Sequence, residues 1–121
     1  VLKTTFTDVV AQQPDSESAA SLQRPKAYLI AEVEVTDTAA YESYTSAVVS
    51  IVAQHGGRYI VRGGQTASFE GDAPKGRLVI IEFANMSAAQ AFLRSDEYRP
   101  VADIRHKHAV SRIMIVEGVI P

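Results

Sequence analysis

The chain contains no cysteine in its 121 residues. Disulfide scaffolds, thiolate nucleophiles, zinc ribbons and iron–sulfur clusters are thereby excluded. It also lacks an excess of positive charge, with 12 Lys and Arg against 14 Asp and Glu, a formal charge of -2 and a pI near 5.9. Neutralising phosphates needs the opposite balance, so nucleic acid is not an expected partner. No stretch approaches the roughly 18 apolar residues that span a bilayer, and the first residues carry no apolar signal core. No membrane partner is expected, and a cytoplasmic location follows unless a signal segment preceded Val1. Recognisable nucleophile and phosphate motifs are missing as well. There is no G-x-S-x-G elbow, and the glycine pair in Gly63–Thr66 lacks the strand-to-helix context of a phosphate cradle. No cofactor is expected. His106 and His108 are two apart on a helical stretch, which is not the i, i+4 spacing of a metal pair, so no metal site is expected either.

What is present is enough apolar material for one core. Hydrophobic residues make up 46%, charged residues 21%, and the mean hydropathy is -0.01. The length suits a single domain. Residues 1–25, rich in Thr, Ser, Gln and acidic side chains, read as an N-terminal extension, flexible or draped over the domain, with a short strand or turn around Leu2 to Val10. The domain proper is expected over residues 26–121.

Ala27 to Val35 alternates with the period of a strand. Thr36 or Asp37 can cap a helix over Ala39 to Gln54, which Gly56 and Gly57 end. Arg58 to Arg62 reads as a second strand, with Gln65 to Gly71 continuing it past a bulge at the glycine pair. Arg77 to Phe83 is the third strand. Asn85 or Ser87 caps a helix over Ala88 to Arg94, and Ser95 to Glu97 starts a further helical piece towards Lys107, with Pro100 in its first turn. Ser111 to Glu117 is the last strand. The order β-α-β-β-α-β predicts an α+β, ferredoxin-like antiparallel sheet with its helices on one face.

Two helices cover only one side of such a sheet. Leu29, Ala31, Val33, Tyr59, Val61, Val79, Ile81, Phe83, Ile113 and Ile115 are expected beneath the helices. The open side then carries Ile30, Ile60, Leu78, Ile80, Met114 and Val116, interspersed with Tyr28, Glu32, Glu34, Arg58, Arg62, Glu82 and Arg112. An apolar patch of that size marks an interface or a ligand groove, which predicts a homodimer with two sheets packed face to face. Carboxylates enclosed there need cations, so Glu32 and Glu82 are expected to meet Arg58, Arg62 or Arg112. The pairs either fix dimer register or form a cavity in which a carboxylate acts as base and Arg holds an enolate oxygen.

His55 at the helix end is either a dipole-complementing cation or a general base. Tyr41 and Tyr44 have core spacing, and Tyr44 with Tyr59 or Tyr98 can also offer a phenolic hydrogen bond to a carbonyl. The expected catalytic residues are His55, Glu32 and Glu82. The expected ligand-binding residues are Arg62, Arg58, Tyr28 and Tyr44.

The blocks AYLIAEVEVTD, YESY, GGRYIVRGG, LVIIEF, SDEYRPVADIR and VEG, spread from Lys26 to Gly118, resemble a small bacterial family. That family is catalogued as a domain of unknown function in the dimeric α/β-barrel superfamily. The resemblance implies the ferredoxin-like fold and a face-to-face dimer, and it carries no specific reaction. The expected function is a homodimer that binds a small organic molecule, with cofactor-independent acid-base chemistry of the lyase, isomerase or monooxygenase type. The alternative is a non-catalytic structural or ligand-carrying dimer.

Overall fold

The computed structural model describes residues 24–120. The expected N-terminal extension, with its strand or turn near Leu2 to Val10, lies outside the described residues apart from its last two positions. Seven elements follow one another: β1 (Ala27–Val35), α1 (Thr38–Gln54), β2 (Arg58–Arg62), β3 (Arg77–Phe83), α2 (Met86–Arg94), α3 (Tyr98–His108) and β4 (Ala109–Glu117). The sheet order is β2-β3-β1-β4, and every neighbouring pair is antiparallel. This is the ferredoxin-like βαββαβ arrangement, with the two most apolar strands at the centre. No helix among the described residues is long and apolar enough to cross a membrane.

Local chemistry sets the boundaries. Asp37 starts α1 because its carboxylate accepts from the Ala40 N–H at 3.1 Å, and Asn85 does the same for Ala88 at 2.9 Å. For α3 the cap comes from Ser95, whose Oγ accepts from the Tyr98 N–H at 3.2 Å. Alternation along β1 buries Ala27, Leu29, Ala31 and Val33 beneath the helices. They join Val48, Val52, Phe83, Phe92 and Tyr98 in one core between the sheet and the helix layer. Each large side chain buried there contributes roughly 1.5–3 kcal/mol.

Two sequence expectations fail in the same region. Gln65 to Gly71 forms no strand; after Arg62 the chain runs as an irregular connection to Arg77, with Phe69 96% exposed at its outer part. The bulge falls earlier, at Ile60, rather than at the glycine pair. Tyr59 pairs with Ile81, but Val61 pairs with Ile80 and Arg62 with Val79. One extra residue inverts the alternation beyond it. Arg62 therefore lies on the helix side of the sheet and Val61 on the open side, opposite to what strict period-two reading predicts.

The open side is otherwise as the alternation requires. Ile60, Met114 and Val116 are 43%, 50% and 48% exposed, and Ile30, Leu78 and Ile80 are partly covered beside them.

Candidate functional site

The residues expected to act together are divided between the two sides of the sheet. On the open side, Glu82 accepts from Arg58 Nη2 at 3.0 Å and from the Tyr28 hydroxyl at 3.3 Å, with Lys26 Nζ 3.6 Å away. Arg112 grips Glu32 with Nη2 at 3.0 Å and Nε at 3.3 Å. The hydrogen bond from Arg58 holds the Glu82 carboxyl below the ordinary carboxylate range, which makes it a weaker base. His55 sits in the helix layer. Its Nδ1 donates to the Ile51 carbonyl at 3.0 Å, and its ring lies edge-on to Phe92 at 5.8 Å. Glu32, Glu82 and His55 thus do not converge on one space.

The enclosed space lies on the other side of the sheet. A cavity of about 40 Å³ runs between β1, β2 and β3 and the helices, walled by Leu29, Val33, Val48, Ile81 and Phe92 with a polar fringe of Tyr41, Tyr44, Tyr59, Tyr98 and three arginines. The arginines are Arg62, Arg77 and Arg105. No carboxylate or imidazole lines it among the described residues. Arg62, the exposed member of the wall, marks the side open to solvent, and its guanidinium stands over the Tyr59 ring at 4.7 Å.

Two of the expected ligand residues, Tyr44 and Arg62, meet here, while Arg58 and Tyr28 stay with Glu82 on the open side. Arg77 and Arg105 did not figure among the expected residues. Arg77 shares the alternation of Val79, Ile81 and Phe83, and the pairing of Val33 with Arg77 puts it beneath the helices. Arg105 follows Tyr98 by seven positions, two helical turns on the same stripe.

The polar fringe is ordered. The Tyr44 and Tyr98 hydroxyls are 2.8 Å apart, and Arg105 Nε donates to the Tyr98 oxygen at 3.3 Å. Arg105 Nη1 also donates to Ser111 Oγ, which anchors the guanidinium on β4. The two phenols own two hydroxyl hydrogens and use one between them. Whichever donates, one hydroxyl hydrogen remains without an acceptor among the described residues and is available to a ligand oxygen. Burial, reinforced by Tyr98, pushes the Tyr44 hydroxyl far above its ordinary value, so it stays protonated and serves as a donor. Arg105 remains a cation; burial works against its charge, and the phenolic oxygens of Tyr98 and Tyr44 more than offset that.

This arrangement has an alkaline signature. Burial raises the hydroxyls of Tyr41, Tyr44 and Tyr59 above the value of 10.0 that they have in the unfolded chain. Folding is therefore favoured below pH 10 and loses stability as pH rises through that value, because only the unfolded chain ionises freely. Absorbance titration at 295 nm should show these phenols ionising late, with the last part of the change coinciding with unfolding by circular dichroism. Complete ionisation of the native protein near pH 10 would contradict the buried cluster.

A larger hollow, of about 440 Å³, lies on the open side between Glu32, Glu34, Asp72, Lys75 and Arg112. Three acidic and two basic side chains line it, and Arg112 is already paired with Glu32, so it offers no surplus cation to an anionic ligand. No group of three metal-ligating side chains occurs among the described residues.

Comparison with known proteins bears on the fold and the family. A protein of unknown function from Rhodopseudomonas palustris superposes with a TM-score of 0.65 at 19% identity, covering 90% of this chain and 97% of that one. SnoaB, a cofactor-independent oxygenase from Streptomyces nogalater, superposes with a TM-score of 0.59 at 16% identity, over 78% of this chain and 93% of its own. A dimeric protein of unknown function and ferredoxin-like fold from Bacteroides fragilis gives 0.54 at 10% identity, over 77% and 96%. At these identities the likeness is one of fold. No protein of curated function matches the sequence. Residues 26–119 match the family described as Domain of unknown function (DUF1330), and the chain belongs to that family.

Proposed function

We propose that this protein is a homodimer that binds a small carbonyl compound in the cavity between its sheet and helices and stabilises negative charge on the carbonyl oxygen. The spare phenolic hydrogen of the Tyr44–Tyr98 pair, backed by Arg105, carries the reading. A donor set held in place before the ligand arrives, in a partly dry cavity, favours an oxyanion or enolate over the neutral ketone. Cofactor-independent chemistry on an enolisable substrate is the reaction class that such a site serves. The fold shared with SnoaB, a cofactor-independent oxygenase, supports that class by analogy.

The dimer rests on the open side of the sheet. Half-exposed Ile60, Met114 and Val116 want cover, and the fully exposed Phe69 reaches beyond the chain's own core. Glu82 is already paired with Arg58 and Lys26 and Glu32 with Arg112, so a second sheet can cover these two carboxylates without stranding their charge. Glu32 and Glu82 then fix register rather than move protons. Sedimentation at micromolar concentration should give twice 13.1 kDa. A clean monomer would contradict the dimer.

The absence of a carboxylate or imidazole from the cavity wall, among the described residues, favours ligand carriage as the second reading. Deuterium exchange separates the two. In heavy water a C3 proton of 2-oxobutyrate leaves to solvent, the enolate forms, and a deuteron returns. The protein should accelerate this exchange by at least about tenfold, the loss expected when one charge-assisted donor is removed, and Tyr44→Phe/Tyr98→Phe should abolish the acceleration. Binding without exchange would leave carriage as the function.

A further inference from the structure

We infer that the ligand of this cavity is an acid, a short oxo-carboxylate, and that Arg77 anchors its carboxylate while the tyrosine pair takes its carbonyl oxygen. This rests on the cavity-binding reading above and adds the ligand's charge and its orientation.

The first observation is an imbalance of charge. Arg62, Arg77 and Arg105 line one cavity, and no carboxylate lies within ion-pair distance of any of them among the described residues. The chain does not neglect charge elsewhere, since Glu32 and Glu82 on the open side each have an arginine at 3.0 Å. Three guanidiniums around an apolar pocket repel one another, and an anion between them removes that repulsion.

The second observation is an unmet donor. Arg77 Nε is buried and has no hydrogen-bond partner among the described residues. Buried charged donors are seldom left so, because the unmet group bears its full desolvation cost. Arg105, by contrast, is committed to Tyr98 and Ser111. Arg62 is exposed and can be met by solvent, which leaves Arg77 as the cation with a buried donor to spare.

The third is that the backbone makes room for this side chain. Gly63, at φ +72°, passes so close that a Cβ there would lie 2.9 Å from Arg77 Nη2 and 3.1 Å from its Nε. A glycine at this point lets the guanidinium lie against the chain instead of swinging out to solvent. The pairing of Val33 with Arg77 on one side and Ser111 on the other puts Arg77 and the anchor of Arg105 in one row of the sheet. They are separated by two strand spacings, about 10 Å. A ligand above Val33 thus has a free cation at one end and the tyrosine–arginine pair at the other. A carboxylate joined directly or through one carbon to a carbonyl spans that gap, with any further chain leaving past Arg62.

Calorimetric titration of the full-length dimer with 2-oxobutyrate and with its uncharged amide, 2-oxobutyramide, tests this. The acid should bind at least about tenfold more tightly than the amide, as loss of a charge-assisted contact implies. Arg77→Met should erase the preference and raise the melting temperature of the ligand-free protein, because an unmet buried cation is gone; Arg77→Lys should keep part of the preference. Should Arg77→Met not fold, the Arg77 Nε–Hε resonance of the native protein should shift on adding the acid and stay in place with the amide. Equal affinity for acid and amide would overturn the inference and leave the cavity reading intact. Binding of neither would overturn both, and a preference unchanged in Arg77→Met would remove Arg77 as the anchor.

Discussion

Gly76→Ala is expected to destabilise the protein by about 3 kcal/mol or more, among the largest effects of any single methyl addition. Gly76 lies at φ +77°, and a Cβ there would collide with the Val33 carbonyl oxygen and come within 2.6 Å of Glu34 Cα. The left-handed conformation alone costs an alanine roughly 1–2 kcal/mol. The collision adds to this because the partner is backbone at the centre of the sheet and cannot rotate away. The next residue is Arg77, paired with Val33, so whatever yields also moves the cavity's free cation. Gly71→Ala is the matched control. Its φ of +76° is equally unfavourable, yet nothing stands within 4 Å of a Cβ there, so only the conformational part should be lost. Urea unfolding of both variants measures the difference, and equal losses would show that the close approach of Gly76 to β1 is wrong.

Phe92→Ala should cost about 3–5 kcal/mol, as deletion of a fully buried aromatic ring does. Phe92 is 2% exposed and stands at the crossing of three rings, 4.5 Å from Tyr98, 5.6 Å from Phe83 and 5.8 Å from His55. For a domain of this size the melting temperature should fall on the order of 12–20 °C. The substitution also bears on the site, because Phe92 is part of the cavity wall and the ring against which Tyr98 is held. Phe92→Leu should recover most of the stability, since it restores most of the volume. A loss under about 1 kcal/mol for the alanine variant would mean that the ring is not packed in this core.

Most of the fold was legible because its signals are local. Alternation in AYLIAEVEV and RLVIIEF, the caps at Asp37 and Asn85, and the glycines after His55 all act within a few residues, and each falls where the pattern puts it. The site was less legible for two reasons. A bulge at Ile60 leaves no mark in the composition of RYIVR, yet it carries Arg62 to the other side of the sheet. The charged residues expected to act are those of the open face, whereas Arg77 lies beneath the helices and Arg105 lines the cavity from α3, where long aliphatic stems pack and only the guanidinium needs polar company. The ion pairs of Glu32 and Glu82 with neighbouring arginines were foreseeable from strand order, and so was a phenolic donor from Tyr44 with Tyr98. That Tyr44 and Tyr98 stand across the sheet from Glu32 and Glu82 is already implied by helices on one face and carboxylates on the other; the side taken by Arg62 follows only from the register.

The location of a bound ligand tests this arrangement most directly. A crystal structure of the full-length protein grown with 2-oxobutyrate should place the ketone oxygen within hydrogen-bond distance of the Tyr44 or Tyr98 hydroxyl, between the sheet and the helices. A ligand seated on the open side against Glu32, Glu82 or Arg112, with the tyrosine cavity empty, would contradict it.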